Sequence, residues 1–202
     1  MGSSTPPALY GFAFTDTIHS KAEGLTDPSN NKAEGEFVVC VTGAGKGLGF
    51  HIALAYAKAG ASGLIISSRT QSDLDILSSE IKKINPKTRL LSQICDTQKE
   101  DDVKKIASTV KDEFGRLDVV VANAGIISKY LKDGSLPQGI MADLDFERVI
   151  DINLLGTVRT ARHFTPILLE SKGAQTFIVI TSLAAHSETS QATPVAYNVS
   201  KR

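Results

Sequence analysis

Tyr197 and Lys201 stand four residues apart. In a helix that spacing puts both side chains on one face. An ammonium beside a phenol favours the phenolate, and a phenol so tuned can serve as acid or base near neutral pH. Pro194 suits the first position of such a helix and Thr193 its N-cap. On its own the pair is better explained as a half-buried tyrosine beside a solvated lysine. A second pattern lies far upstream, in Thr42-Gly43-Ala44-Gly45-Lys46-Gly47-Leu48-Gly49. It follows the apolar run 37–41 and leads into an amphipathic stretch, Phe50 to Lys58, that ends at Gly60. That order reads as strand, glycine turn and helix. Glycine lets the backbone turn sharply and come close to a ligand, and the unpaired N–H groups and dipole of the helix favour a diphosphate there. Gly43, Gly47 and Gly49 are spaced G-x-x-x-G-x-G, unlike the G-x-G-x-x-G of the commoner dinucleotide turn.

The elements that must hold these groups follow from periodicity. Apolar runs at 37–41, 63–67, 89–94, 117–122 and 176–181 predict buried strands, rich in Val, Ile and Leu with little polar alternation. Helical stretches separate them. Residues 48–59 place Leu48, Ile52, Ala55 and Tyr56 on one face, and 71–85 begin beside Gln71-Ser72 and stop before Pro86. Residues 98–114 place Val103, Ile106, Val110 and Phe114 on one face and end at Gly115. Residues 143–171 predict a long helix with Gly156 and Pro166 as points of interruption. Strand–helix alternation with right-handed crossovers predicts an α/β doubly wound parallel sheet, a three-layer α/β/α Rossmann fold. A dinucleotide then binds at the switch point beside the first strand. Residues 1–35 lack periodicity and carry Gly, Ser, Pro, Asn and Thr. They predict a flexible or loosely docked extension ahead of a dinucleotide-binding domain over 36–202.

The 202 residues are 42% apolar with a formal net charge of zero. This fits one soluble domain and gives no electrostatic reason to expect a nucleic-acid or membrane partner. No apolar run approaches the roughly 18 residues that span a bilayer, and the N-terminus lacks the charged start and apolar core of a secretory signal. Cys40 and Cys95 fall in or at the ends of predicted strands and read as small buried apolar residues, not as a disulfide or metal site. Together these features predict a reducing, cytoplasmic setting.

Taken in order, the glycine turn, Ala122-Asn123-Ala124-Gly125 at a strand end, Asn153, the strand ending Ile180-Thr181-Ser182, and Tyr197-x-x-x-Lys201 form a specific set. Over about residues 36–202 the chain resembles the short-chain dehydrogenase/reductase family. The resemblance implies an oxidoreductase that moves hydride between a nicotinamide cofactor and a carbonyl or secondary alcohol. Gly43, Gly47 and Gly49, with Leu48 among them, would form the diphosphate turn, and Asp96 would contact the adenine. Asn123, Ala124 and Gly125 match the segment that braces the sheet and lines the cofactor cleft; Ala122 replaces the family's first asparagine. Ser182 would hold the substrate oxygen and Tyr197 would exchange its proton. Lys201 would tune the tyrosine and hold the nicotinamide ribose, and Asn153 would position a water in the proton relay.

The second strand bears on the cofactor. A carboxylate at its end binds ribose hydroxyls, whereas a 2′-phosphate calls for a cation. Here Ser68 stands where that carboxylate would be, Arg69 follows it, and Lys46 precedes Gly47. A guanidinium grips phosphate well, so NADP(H) is expected over NAD(H). Some features depart from the family. Fourteen residues separate Ser182 from Tyr197, slightly more than usual, and the insert 186–191 predicts a polar loop with His186 in solvent. The sequence ends at Arg202, one residue after Lys201, where the family continues into further strands and a substrate-covering segment. This predicts a fifth strand at the sheet edge and a shortened second helix of the family's dimer interface, leaving a homo-oligomer open. It also keeps alive an alternative, a truncated and catalytically impaired dinucleotide-binding fragment or regulatory protein. The loop Ser128 to Ile140 offers Tyr130, Leu131, Leu136 and Ile140 as generic apolar contacts to a small-molecule substrate.

Overall fold

The structure, a computed structural model, describes residues 21–128, 145–186 and 194–202. Its strands are β1 (Val38–Val41), β2 (Gly63–Ser68), β3 (Arg89–Ile94), β4 (Val119–Ala122) and β5 (Thr176–Val179). Its helices are α1 (Gly47–Lys58), α2 (Gln71–Ile84), α3 (Glu100–Phe114), α4 (Phe146–Ile150), α5 (Gly156–Glu170) and α6 (Val195–Ser200). A π-helical segment, Asp151–Leu155, joins α4 to α5, and short 3-10 turns occupy Gly24–Thr26 and Leu183–His186. The strands pair in parallel in the order β3-β2-β1-β4-β5. The expected doubly wound sheet is present, and the chain changes winding direction between β1 and β4.

Successive residues of a buried strand point to opposite faces, and two apolar layers follow. Cys40, Ile65 and Val120 face Ile106 and Val110 of α3 and Phe164 and Leu168 of α5. Val39, Val41, Leu64 and Ile66 face Ala53 and Ala57 of α1 and Leu74, Leu77 and Ile81 of α2. Both cysteines are free and buried, as expected. Burial pushes their thiols up, that of Cys95 to about 12.

Several elements differ from expectation. The closely packed face of α1 is Gly49, Ala53 and Ala57, not the face that carries Leu48, Ile52, Ala55 and Tyr56. Small residues let this helix lie tight against the sheet behind the glycine turn, and Leu48 is left 57% exposed. The predicted helix 143–171 is interrupted at Asp151–Leu155, ahead of Gly156, while Pro166 lies inside α5 without ending it. Pro166 and Arg162, four residues before it, are both exposed. Pro194 is the cap residue of α6 and not its first helical position. Of the N-terminal stretch, residues 21–35 include a 3-10 turn and meet the end of α1: Lys32 Nζ donates to Lys58 O at 2.8 Å and Ala33 N–H to Ala59 O at 2.8 Å. The expectations for residues 1–20, for the loop 187–191, for Thr193, and for Tyr130, Leu131, Leu136 and Ile140 lie outside the described residues.

At the amino ends of the strands one carboxylate ties the central sheet together. The Asp118 side chain is fully buried and takes both arms of the Arg116 guanidinium at 2.8 Å. It also accepts Val38 N–H at 2.9 Å, from the start of β1, and Ala174 N–H at 3.2 Å, ahead of β5. Burial opposes its ionisation, but Arg116 and the two backbone donors outweigh burial and hold the carboxyl below its ordinary value. Asp118→Ala leaves the buried Val38 N–H without an acceptor, at about 1–3 kcal/mol, and also frees the more exposed Ala174 N–H. Urea unfolding at pH 7 should therefore read a loss of about 1–3 kcal/mol. The depressed folded-state value means that Asp118 stabilises the fold above the unfolded carboxyl value of about 3.9 and loses this contribution as pH falls through the folded value. Asp118→Asn should accordingly lose less stability than the parent between pH 5 and pH 2.

Candidate functional site

The carboxyl ends of β1 and β4 part around a cleft of about 520 Å³. Its floor is the glycine turn. Gly43 has φ +64°, a conformation L side chains avoid, and a Cβ there would lie 2.7 Å from Ala124 Cα. Gly49 backs directly on the Asn123 amide. The turn is braced from below by Thr42. Its hydroxyl accepts Asn123 N–H at 3.1 Å and Ala124 N–H at 3.2 Å. Asn123 Nδ2 returns the contact, donating to Thr42 O at 3.0 Å and Gly43 O at 3.1 Å. Sequence reading assigns the bracing to Asn123 and passes over Thr42; its position directly before the turn is the available signal.

One end of the cleft is lined by Lys46, Gly47, Leu48, Ser68, Arg69 and Asp73. The Ser68 hydroxyl folds back on its own loop, donating to Thr70 O at 3.1 Å and accepting Thr70 N–H at 3.2 Å. The middle is lined by Asp96, Thr97 and Asn123 to Gly125. Asp96 Oδ1 accepts Gln98 N–H at 3.1 Å, turning the chain into α3, which begins at Glu100 instead of residue 98. The other end is lined by Ile180, Thr181, Tyr197 and Lys201. Lys201 Nζ donates to Ile180 O at 2.9 Å and lies 6.0 Å from the Tyr197 ring centroid. Burial pulls its ammonium below the ordinary lysine value.

Asn153 sits just behind the lining, 3% exposed. Its Oδ1 accepts Ile126 N–H at 2.8 Å, and its Nδ2 donates to Ile126 O at 2.9 Å and to Ser200 Oγ at 2.9 Å. One amide thus joins the π-helical segment, the loop after β4, and the helix of Tyr197 and Lys201. Single π turns inside helices often mark functional sites. Ser182 departs from the expected place. It is not among the cleft-lining residues, whereas Thr181 is. The Ser182 hydroxyl accepts Ala184 N–H at 3.2 Å and caps the turn Leu183–His186, in which His186 is exposed. Short polar side chains favour such local caps. Of the other predicted residues, all but Gly49, Asn153 and Ser182 line the one cleft.

The residues fit a dinucleotide: a cradle that a Cβ would fill, two cations at one end, and a phenol–ammonium pair at the other. A family model for short chain dehydrogenase matches residues 37–202. The chain belongs to the short-chain dehydrogenase family. Across 98% of its length the chain is 34% identical to the short chain dehydrogenase pgmD of Aspergillus terreus, and it covers 65% of that protein. It is 35% identical over 134 residues to an NADPH-dependent pterin aldehyde reductase of Arabidopsis thaliana, covering 66% of this chain and 52% of that one. Among solved structures it is similar to an alcohol dehydrogenase of Thermococcus sibiricus complexed with 5-hydroxy-NADP. That match has a TM-score of 0.66 and 28% identity, over 83% of this chain and 66% of the other. The chain therefore spans about two thirds of the length of such relatives. Among its described residues, no helix is long and apolar enough to cross a membrane and no group of three or more metal-binding side chains occurs.

The glycine turn gives a contrast within one sequence. Gly43→Ala combines a positive φ with a collision against Ala124, whereas Gly60, at φ +87°, has nothing within 4 Å of the place a Cβ would take. Gly60→Ala should cost about 1–2 kcal/mol and leave dinucleotide affinity unchanged. Gly43→Ala should cost more and abolish binding, read by calorimetric titration with NADPH on variants checked for folding by circular dichroism.

Proposed function

We propose that this chain is the cofactor-binding and catalytic portion of an NADP(H)-dependent oxidoreductase acting on a small carbonyl compound or secondary alcohol. The observation that carries the reading is that the glycine turn and the Tyr197–Lys201 pair line one continuous cleft. When bound, the nicotinamide supplies or accepts the hydride. The protein's part is positioning and proton transfer. The Tyr197 hydroxyl gives a proton to, or takes one from, the substrate oxygen. Lys201 is anchored by one hydrogen bond to Ile180 O and keeps two N–H donors for the ribose and for the field at the phenol. Asn153 holds the Ile126 backbone and α6 in register, so Tyr197 approaches from a fixed direction.

Lys46 and Arg69 support the preference for NADP(H). Both line the cleft, and neither has a carboxylate partner among the described residues. The bound NADP derivative of the Thermococcus neighbour and the name of the Arabidopsis relative point the same way. The placement of Ser182 favours a second reading, a dinucleotide-binding protein without turnover, because the residue expected to hold the substrate oxygen is not among those that line the cleft.

Tyr197→Phe separates these readings. It removes the proton-transfer group and keeps the ring, so turnover of a carbonyl panel should fall by about 10²–10⁴-fold while NADPH affinity stays unchanged. Parent protein that binds NADPH and reduces no carbonyl in the panel would favour the binding-only reading.

A further inference from the structure

The end of β2 offers no carboxylate to a ribose: Ser68 stands there, and its hydroxyl is engaged with Thr70. A carboxylate reaches the same end of the cleft by another route. Asp73, in the first turn of α2, lines it beside Lys46, Ser68 and Arg69. The aspartate stem lies against the phosphate turn, since a Cβ on Gly45 would sit 3.0 Å from Asp73 Cβ and 2.8 Å from Ser68 Oγ. Asp73 is half-buried, and its carboxylate has no hydrogen-bond or ion-pair partner among the described residues. Neighbouring Asp75 is different, being exposed and accepting Gln71 Nε2 at 2.8 Å. Among the described residues, one unpaired carboxylate therefore shares the ribose end of the cleft with two unpaired cations.

We infer that Asp73 sets how strongly the cleft discriminates between the two dinucleotides. Its carboxylate accepts hydrogen bonds from the adenosine ribose hydroxyls of NADH and repels the 2′-phosphate of NADPH, offsetting part of the attraction of Lys46 and Arg69. It takes over from α2 the role that the strand end has given up. A carboxylate accepts from a diol readily, and like charges at short range in a half-buried site disfavour each other.

The inference rests on the NADP(H) reading, and titration calorimetry on the full 202-residue chain tests both. Asp73→Asn keeps the shape and removes the charge. It should raise the ratio of NADPH to NADH affinity about tenfold, by weakening NADH and tightening NADPH. Asp75→Asn, on the same helix but hydrogen-bonded away from the cleft, should leave the ratio unchanged, excluding a general effect of helix charge. A ratio within about twofold of the parent in Asp73→Asn, with NADPH binding intact, overturns the role of Asp73. The cofactor reading fails separately if Lys46→Ala and Arg69→Ala leave NADPH affinity unchanged. In that case weakened NADH binding by Asp73→Asn still supports the carboxylate–ribose contact. A parent chain that binds neither dinucleotide overturns both.

Discussion

β1 and β4 lie side by side where the winding of the chain reverses, and the cleft exists because their carboxyl ends are held level. Two clamps achieve this. Asp118 ties the amino end of β4 to the start of β1 and to the turn before β5. Thr42 and Asn123 exchange hydrogen bonds at the opposite end of the same strands. A parallel pair has no hairpin to fix its register, so side chains that bond across the junction set it. The Val38 N–H and the Asp118 carboxylate are out of reach of water, and leaving either unpaired is expensive. The register that satisfies both clamps is also the one that places Ala124 against Gly43.

The two ends of the cleft are then joined by polar contacts instead of by a continuous element. Asn153 reaches the loop after β4 and the helix of Tyr197 and Lys201 from the π-helical segment. The extra residue in that turn disturbs the helical ladder, and Thr157 Oγ1 compensates by donating to Asn153 O at 2.7 Å. Asp151, on the same segment, receives Gln98 Nε2 and Arg159 Nη2 at 2.8 Å each, and these hydrogen bonds, Gln98 first, hold its carboxyl below the ordinary value. Arg159 in turn donates to Thr97 O at 3.1 Å. Thus the middle of the cleft, at Asp96 and Thr97, and its far end, at Tyr197, are referred to one short stretch of backbone.

The composition of the cleft follows from this arrangement. Its base is backbone and small side chains, the end at Lys46, Arg69 and Asp73 carries separated charges of both signs, and its far end holds an ammonium under partial desolvation. Burial makes a charged lysine costly, so its hydrogen bond to Ile180 O both stabilises it and fixes where the charge points. Lys46 and Arg69, by contrast, remain exposed and free to meet a ligand.

Much of the fold was legible in the sequence because the strands are buried on both faces and read as short runs of Val, Ile and Leu between helical stretches. Glycine spacing and the interval from Tyr197 to Lys201 likewise carry their own geometry, since each lies within a single turn or helix. The packed face of α1 was not legible: periodicity favours the larger side chains, but close approach to the sheet selected Gly49, Ala53 and Ala57. The π-helical segment was not legible either, because its pattern matches an ordinary helix until Asn153 finds Ile126 and Ser200. Tertiary structure alone left Ser182 out of the cleft lining and brought Asp73 to the end of the cleft. The sequence by itself determined the elements and the chemical types available, which depend on neighbours along the chain. The partnerships of Asp118, Thr42 and Asn153 and the placement of Asp73 were decided by the tertiary structure, because each depends on a group tens of residues away or on another element's position.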